Sequence, residues 1–280
     1  MKKKIIAVAG FIVVLILFAI FPVSILANPL ITPGEYLDSI PYIEVGNIII
    51  ITPSSTFLVY LLGVITIIFG VKLFKQKDNQ TKYLWGLSLI LWGIGTLLAG
   101  TSYQGLGYEL KCEGQAYCLF TSWFELAYLF ITAISITVMA YAVSVKALHG
   151  DDKKLYRNLS VIGLLTYSAT LLLGVAAEIY FLITYEYFLI FFVLYFISFF
   201  VLNIKRYKRH ANDLDKGLII VWLMMLAINV VYFIYFYSGI PEGLYENYQI
   251  WFSANDILHV GLIGWMIYIY YVIEKVEIKG

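Results

Sequence analysis

The stretch from Ser253 to Ile273, SANDILHVGLIGWMIYIYYVI, decides the fold class. After Asp256 it carries no Asp, Glu, Lys or Arg. Roughly 20 such residues form a helix that crosses a hydrocarbon core about 30 Å thick. Asp256 and His259 stand at the start of this helix, three residues apart, so they share one face. The first question is therefore what a carboxylate and an imidazole do at one end of a membrane helix.

The rest of the chain repeats this pattern. Of its 280 residues, 61% are apolar and only 13% are charged, against about 25% charged in soluble domains. We read eight apolar stretches of membrane-spanning length. They are Ile5–Ala27, Ser54–Phe74, Tyr83–Ser102, Phe120–Val145, Leu159–Tyr180, Tyr185–Asn203, Leu218–Tyr237 and Ala254–Ile273. The sequence therefore predicts an all-α, polytopic transmembrane helical bundle with seven core helices plus an N-terminal signal or anchor helix.

The first stretch allows two interpretations. Residues 1–27 begin with three lysines, continue with an apolar run and end at Ala27, which suits a signal peptide or a first transmembrane helix equally well. Residues 28–53 then form an extracytoplasmic segment, and residues 54–280 form the seven-helix domain. The orientation of the seven helices is the same in both interpretations.

The basic residues predict the topology. All of the 19 Lys and Arg except Lys111 fall at the N-terminus, at the C-terminus or in alternate connections. The positive-inside rule places that side, including the C-terminus, in the cytoplasm of a multi-pass cell-membrane protein. The other side holds Lys111 and eleven acids. This excess of acids either arises because the positive-inside rule excludes Lys and Arg but not Asp and Glu, or it forms a surface that concentrates cations. Those acids are Glu35, Asp38, Glu44, Glu109, Glu113, Glu125, Glu178, Glu186, Glu242, Glu246 and Asp256.

Both cysteines lie in one extracytoplasmic connection. Cys112 and Cys118 are separated by five residues, and a disulfide between them is the expected state in an oxidising compartment. Two thiols alone are a poor zinc site, since structural zinc takes four ligands.

Polar side chains gather in the outer half of the predicted bundle. Glu125, Tyr128, Thr132 and Ser135 recur at helical spacing and form a polar stripe on the fourth stretch. Asp256 and His259 lie at similar depth. Polar residues inside membrane helices usually face the bundle, so we expect an outer polar layer there. Its further candidates are Gln104, Tyr108, Glu109 and Glu178.

Three interpretations of Asp256 and His259 stay open. They form a hydrogen-bonding pair that packs the last helix, they hold a divalent metal together with Glu125, or they sense a ligand or proton. The metal interpretation requires all three side chains to converge.

Two segments carry a resemblance. TSYQGLGYELKCEGQAYCLFTSWFE (Thr101–Glu125) and NDILHVG (Asn255–Gly261) resemble a family of bacterial and archaeal polytopic membrane proteins of unknown function. The resemblance implies that these outer-side residues belong together, and it implies no reaction. The helix count is also similar to that of seven-helix lipid amide hydrolases such as alkaline ceramidases. That family is expected to use three histidines, whereas this chain has one membrane histidine, so the likeness remains architectural.

The sequence thus favours a seven-helix sensor or small-ligand-binding protein with an outward-facing polar pocket lined by Glu125, Tyr128, Asp256 and His259. The alternative is a membrane-embedded, metal-dependent hydrolase acting on a lipid, and a further alternative is a cation or proton transporter. The expected partners are the lipid bilayer and a small molecule or lipid ligand. Nucleic acid is not expected, because no basic block is wide enough to bind it.

Overall fold

A computed structural model describes residues 24–248 and 250–276. Within them, seven helices are long and apolar enough to cross a membrane, which confirms the predicted all-α bundle of a multi-pass membrane protein. These helices are α2 (Pro53–Phe74), α3 (Gln80–Ala99), α5 (Trp123–Ala147), α6 (Gly150–Ala176), α7 (Tyr185–His210), α8 (Asp213–Phe236) and α10 (Ala254–Glu274). The predicted signal or anchor helix falls almost entirely on residues 1–23, outside the described residues.

Several helices extend beyond the apolar runs that predicted them. Helix α6 begins at Gly150 rather than Leu159, and α7 ends at His210 rather than Asn203. Lys, Arg, Asp and Tyr outside the hydrocarbon region can continue a helix in water, so apolar length underestimates helix length. Helix α3 behaves differently, because it continues as a π-helical segment, Gly100–Gly105, at the point where the sequence predicted its end.

Short elements occupy the connections. A helix α1 (Pro33–Asp38) and an antiparallel hairpin of β1 (Tyr42–Val45) and β2 (Ile48–Ile51) precede α2. Helix α4 (Gly107–Lys111) follows α3, a 3₁₀ turn (Tyr180–Ile183) follows α6, and α9 (Ile240–Tyr248) follows α8. None of these elements was predicted from the sequence.

Helices α2 and α3 approach each other through glycine. A Cβ atom added at Gly86 would lie 2.7 Å from the carbonyl oxygen of Gly70, and one added at Gly93 would lie 2.8 Å from that of Gly63. Gly63 and Gly70 are seven residues apart in α2, and Gly86 and Gly93 are seven residues apart in α3. This spacing places the two glycines of each helix on one face, where the helices meet. The glycines of both helices thus allow close packing of α2 and α3, as in other membrane bundles.

Helix α5 is the central helix. Sixteen of its 25 residues are buried, because α3 packs along one side while α6 and α7 pack elsewhere on it. Ser135 of α5 and Ser88 of α3 each donate a hydrogen bond to the other's carbonyl oxygen, at 2.8 and 2.9 Å. The inner part of the predicted polar stripe therefore joins two helices.

One end of the bundle carries a bonded Cys112–Cys118 disulfide, as predicted, and we call it the disulfide end. The chain around Ile25 crosses this end and pairs with the disulfide loop, since the amide of Phe120 donates to the carbonyl of Ile25 at 2.7 Å. The hairpin is attached by Glu109, which accepts a hydrogen bond from the amide of Ile49. These contacts cover the ends of the helices that line the site below.

The opposite, lysine-rich end is closed by a second polar network. Asp215 is buried at the start of α8 and forms an ion pair with Arg206 of α7 at 3.0 Å. Asn203 donates to Asp215 and accepts from Trp222 Nε1. The ammonium of Lys82 binds the carbonyl of Glu274 at the end of α10, where a cation suits the helix dipole.

Candidate functional site

A cavity lies between the helices at the disulfide end. Its volume is about 510 Å³, within the range of about 300–1,000 Å³ that is usual for small-molecule sites. Helices α2, α3, α5, α7, α8 and α10 all contribute side chains to its walls. Its lining includes Trp92, Thr96, Tyr103, Gln104, Phe120, Glu125, Tyr128, Thr184, Tyr185, Glu186, Tyr232, Asn255, Leu258, His259 and Leu262. The predicted outer polar layer thus contains a real cavity, and several of the predicted side chains line it.

Glu125 lies at the cavity wall in a closed network. Its side chain is 2% exposed and forms an ion pair with Lys111 at 2.9 Å. Ser102 and Thr121 also donate to its carboxylate, at 2.8 and 2.9 Å. Burial opposes the charge of Lys111, but Glu125 more than compensates, so the pKa of the ammonium lies above its ordinary value. The one lysine on the acidic side of the chain is therefore the partner of the one carboxylate buried in α5.

Asp256 faces away from the cavity. Ser253 caps α10 together with Asp256, and the Asp256 carboxylate accepts a hydrogen bond from the backbone amide of Ser253. It also accepts from Ser55 of α2 at 2.9 Å and from Ser54 at 3.3 Å. Asp256 is fully buried by these contacts. It caps its own helix and attaches that helix to α2, while its hydrogen-bond partners are Ser54, Ser55 and Ser253 rather than His259.

His259 and Gln104 both line the cavity, and each carries a buried polar atom without a partner among the described residues. His259 is 7% exposed and its Nδ1 has no hydrogen-bond partner in the described structure. Gln104 is 5% exposed, and its Oε1 likewise lacks a partner there. A buried polar atom without a partner costs about 1–3 kcal/mol. Two residues of the cavity wall therefore carry polar groups whose partners the described residues do not supply.

Aromatic rings form much of the remaining wall. Tyr103 and Tyr128 meet edge to face, with centroids 6.3 Å apart and planes at 89°. Tyr185 and Tyr232 line the same space from α7 and α8. The cavity therefore combines aromatic walls with a few polar groups, which is the usual composition of a ligand site.

Comparison with known proteins adds a family. The profile of DUF6962, a family of unknown function, matches residues 55–277. The chain belongs to this family. No curated protein and no solved structure matches the chain. The predicted resemblance to a membrane-protein family of unknown function is confirmed, and its bacterial and archaeal range stays a prediction.

The DUF6962 match covers the whole cavity and the disulfide, since the lining residues run from Val59 to Leu262. It leaves out the hairpin and the chain around Ile25. All the residues that line the cavity thus lie within the matched region, while part of its cover at the disulfide end lies outside that region.

Three of the predicted outer-layer residues do not line the cavity. Glu109 holds the hairpin, Glu178 is exposed after α6, and Tyr108 lies in α4. Among the residues that the structure describes, no group of three or more His, Cys, Asp or Glu could hold a metal ion. The convergence of Glu125, Asp256 and His259 that the metal interpretation required is not observed, because Asp256 packs against α2.

Sequence reasoning missed several cavity residues. Tyr103, Tyr185 and Tyr232 were hidden among 24 tyrosines, and nothing in their spacing separates them from an interfacial aromatic belt. From the sequence, Glu186 is not distinguishable from the other ten acids predicted on the extracytoplasmic side. Lys111 did carry a signal, since a lone lysine among eleven acids invites the search for a buried carboxylate partner.

Proposed function

We propose that this protein is a seven-helix membrane protein that binds a small ligand in the cavity at its disulfide end. The observation that carries the proposal is a cavity of about 510 Å³ whose wall combines tyrosine rings with the polar side chains of Gln104, Glu186 and His259. A void kept only by imperfect packing would be apolar, since a buried polar group needs a partner. A ligand or ordered water in this cavity explains both the volume and the polarity.

The surrounding structure supports a preformed site. Glu125 is held by three donors, and the central helix α5 is the most buried of the seven. Asp256 fixes the start of α10 against α2, one turn before His259. Side chains supported in this way can keep a binding geometry without the ligand.

The ligand would enter from the extracytoplasmic side. Support comes from the positive-inside rule, which puts the lysine-rich end in the cytoplasm, and from the disulfide, which suits an oxidising compartment. Glu186 is exposed yet lines the cavity, so the cavity reaches the surface beside it. A sensor needs such access on one side and a surface for partners on the other.

The hydrolase and the transporter stay predictions, and no specific contact favours either. Asp256, the residue both would use beside His259, is engaged by three hydrogen-bond donors from Ser54, Ser55 and Ser253.

Cysteine accessibility tests the cavity directly. Both native cysteines are in the disulfide, so one introduced cysteine is the only free thiol. Thr96→Cys places it on the cavity wall, and Ser88→Cys places it two turns further along α3, in the contact with α5. We expect methyl methanethiosulfonate to modify Thr96→Cys in the folded protein and to leave Ser88→Cys unmodified. Equal protection of the two thiols would refute an accessible cavity.

A ligand screen then tests binding. A compound that occupies the cavity raises the thermal midpoint of the wild type and protects Thr96→Cys from the reagent. The same compound should not stabilise Thr96→Phe, in which the larger side chain fills part of the space. A compound that stabilises both proteins equally binds elsewhere.

A further inference from the structure

The charge of the cavity is unbalanced. Glu125 is neutralised by Lys111 at 2.9 Å, but Glu186 at the cavity mouth has no ion pair among the described residues. Lys111 is the only lysine or arginine on the acidic side of the chain. The site therefore keeps one uncompensated carboxylate, which favours a cationic occupant over an anionic one.

The tyrosines provide the complementary surface. The faces of aromatic rings carry partial negative charge and attract ammonium groups. Tyr103 and Tyr128 stand at 89° to each other and form two adjacent walls, while Tyr185 and Tyr232 contribute from other helices. The Lys111 ammonium already lies 5.5 Å from the centroid of the Tyr103 ring, so one of these rings binds a cation within the protein itself.

The hydrogen-bonding groups of the wall fit the same ligand. The Glu186 carboxylate can only accept hydrogen bonds, so it suits a ligand that donates hydrogen bonds or carries positive charge. A bare calcium or magnesium ion fits less well. Such ions take six or more oxygen ligands, and the described residues contain no group of three acidic or metal-binding side chains.

We propose that the cavity binds an organic ammonium group, received between the tyrosine faces and paired with Glu186. This inference rests on the proposed function and specifies its ligand. The group belongs either to a free amine or to the headgroup of a phosphatidylcholine or phosphatidylethanolamine lipid. Both sources present the same chemistry to the site.

The test compares ammonium probes with neutral molecules of the same shape. Choline is matched by 3,3-dimethylbutan-1-ol, and ethanolamine by propan-1-ol. The protein is reconstituted in nanodiscs of phosphatidylglycerol, which has no ammonium group, and binding is followed by tryptophan fluorescence, because Trp92 lines the cavity. We expect at least one ammonium probe to bind about tenfold more tightly than its neutral match.

Two acidic variants separate this site from general attraction of cations. Glu186→Gln removes the carboxylate at the cavity mouth, whereas Glu178→Gln removes an exposed carboxylate at the same end of the bundle that does not line the cavity. Glu186→Gln should weaken binding of the ammonium probe about tenfold. Glu178→Gln should leave it unchanged.

The lipid composition of the nanodiscs distinguishes a lipid headgroup from a free amine as the source of the ammonium group. If a headgroup is the ligand, nanodiscs of phosphatidylcholine or phosphatidylethanolamine should protect Thr96→Cys from methyl methanethiosulfonate, and added choline should cause no further change. If a free amine is the ligand, only the soluble probe protects the thiol.

Two results would overturn the inference. One is equal affinity for an ammonium probe and its neutral match, and the other is absence of protection by choline, ethanolamine and both lipids while Thr96→Cys reacts freely. In either case, modification of Thr96→Cys would still support the proposed ligand cavity, and only the ammonium ligand would be refuted. An unreactive thiol in every lipid, phosphatidylglycerol included, would remove both proposals together.

Discussion

The ion pair between Lys111 and Glu125 offers the sharpest test of how the disulfide end is held together. Replacing Lys111 by Met keeps a long side chain but leaves the Glu125 carboxylate, 2% exposed, without its counter-charge. Breaking a buried ion pair by removing one partner typically costs about 3–5 kcal/mol. Ser102 and Thr121 still donate to the carboxylate, so we expect the lower end, about 3 kcal/mol.

Glu125→Gln should cost a similar amount, because it leaves the Lys111 ammonium buried and unpaired. The double variant is the decisive measurement. If the two losses were independent they would sum to about 6 kcal/mol, whereas a neutral Met and Gln need no compensation and should cost about 3 kcal/mol or less. The coupling energy of the cycle should therefore be about 3 kcal/mol, near the upper end for contacting residues.

The assay is equilibrium unfolding in dodecyl maltoside micelles with increasing mole fractions of SDS, followed by circular dichroism. The pKa of Lys111 in the folded protein lies above its ordinary value. The charged ammonium therefore contributes its full stabilisation at any pH below the ordinary pKa, and this contribution is lost as the pH rises through the raised pKa. The gap between wild type and Lys111→Met should thus stay constant from about pH 6 to about pH 9. A single variant within about 1 kcal/mol of wild type, or additive losses in the double variant, would refute the reasoning.

Three further outcomes are expected in the same unfolding assay. Gly86→Ala should destabilise the protein by about 1–3 kcal/mol, because the added Cβ would lie 2.3 Å from the backbone nitrogen of Phe74 at the end of α2. The control Gly264→Ala places its Cβ where no atom of the described residues lies within 4 Å, so it should be neutral or stabilising. Equal effects of the two variants would contradict close packing of α2 and α3. Replacing Cys112 and Cys118 by Ser should cost about 2 kcal/mol, because the unfolded chain regains the entropy that the disulfide removes. The reduced wild type should be as unstable as the serine variant, and a difference between the two would show that the bond is not responsible. Asp256→Ala should cost about 2–4 kcal/mol by removing a cap and leaving serine donors unpaired, while Asp256→Asn should recover part of it; no loss in the alanine variant would contradict the structural role.

The candidate site was only partly predictable, and Asp256 and His259 show why. Their spacing correctly put both on one side of α10. Side chains three residues apart on a helix still differ by about 60° in direction, and here that difference separates a cap bonded to α2 from a cavity wall. Which neighbour each side chain meets depends on how α10 is rotated. Trp265, which donates to the carbonyl of Val221 in α8 at 2.8 Å, helps to set that rotation.

Asn229 gives a second case. An amide near the middle of α8 is expected to bond to another helix, but its Nδ2 donates to the carbonyl of Met225 in its own helix. Sequence indicates only that such a group is expected to seek a partner within the bundle. It cannot show which of several backbone and side-chain acceptors lies within reach.

The sequence by itself determined the membrane class, the seven helices, the charge asymmetry of the two ends and the disulfide. These follow from hydropathy, helix length and residue type, which act locally along the chain. Only the tertiary structure decided that Lys111 neutralises Glu125, that Asp256 turns away from the cavity, and that four tyrosines, Gln104 and His259 surround one space. Those relations depend on how helices distant in sequence rotate and pack against one another, and packing is a property of their joined surfaces rather than of any one stretch.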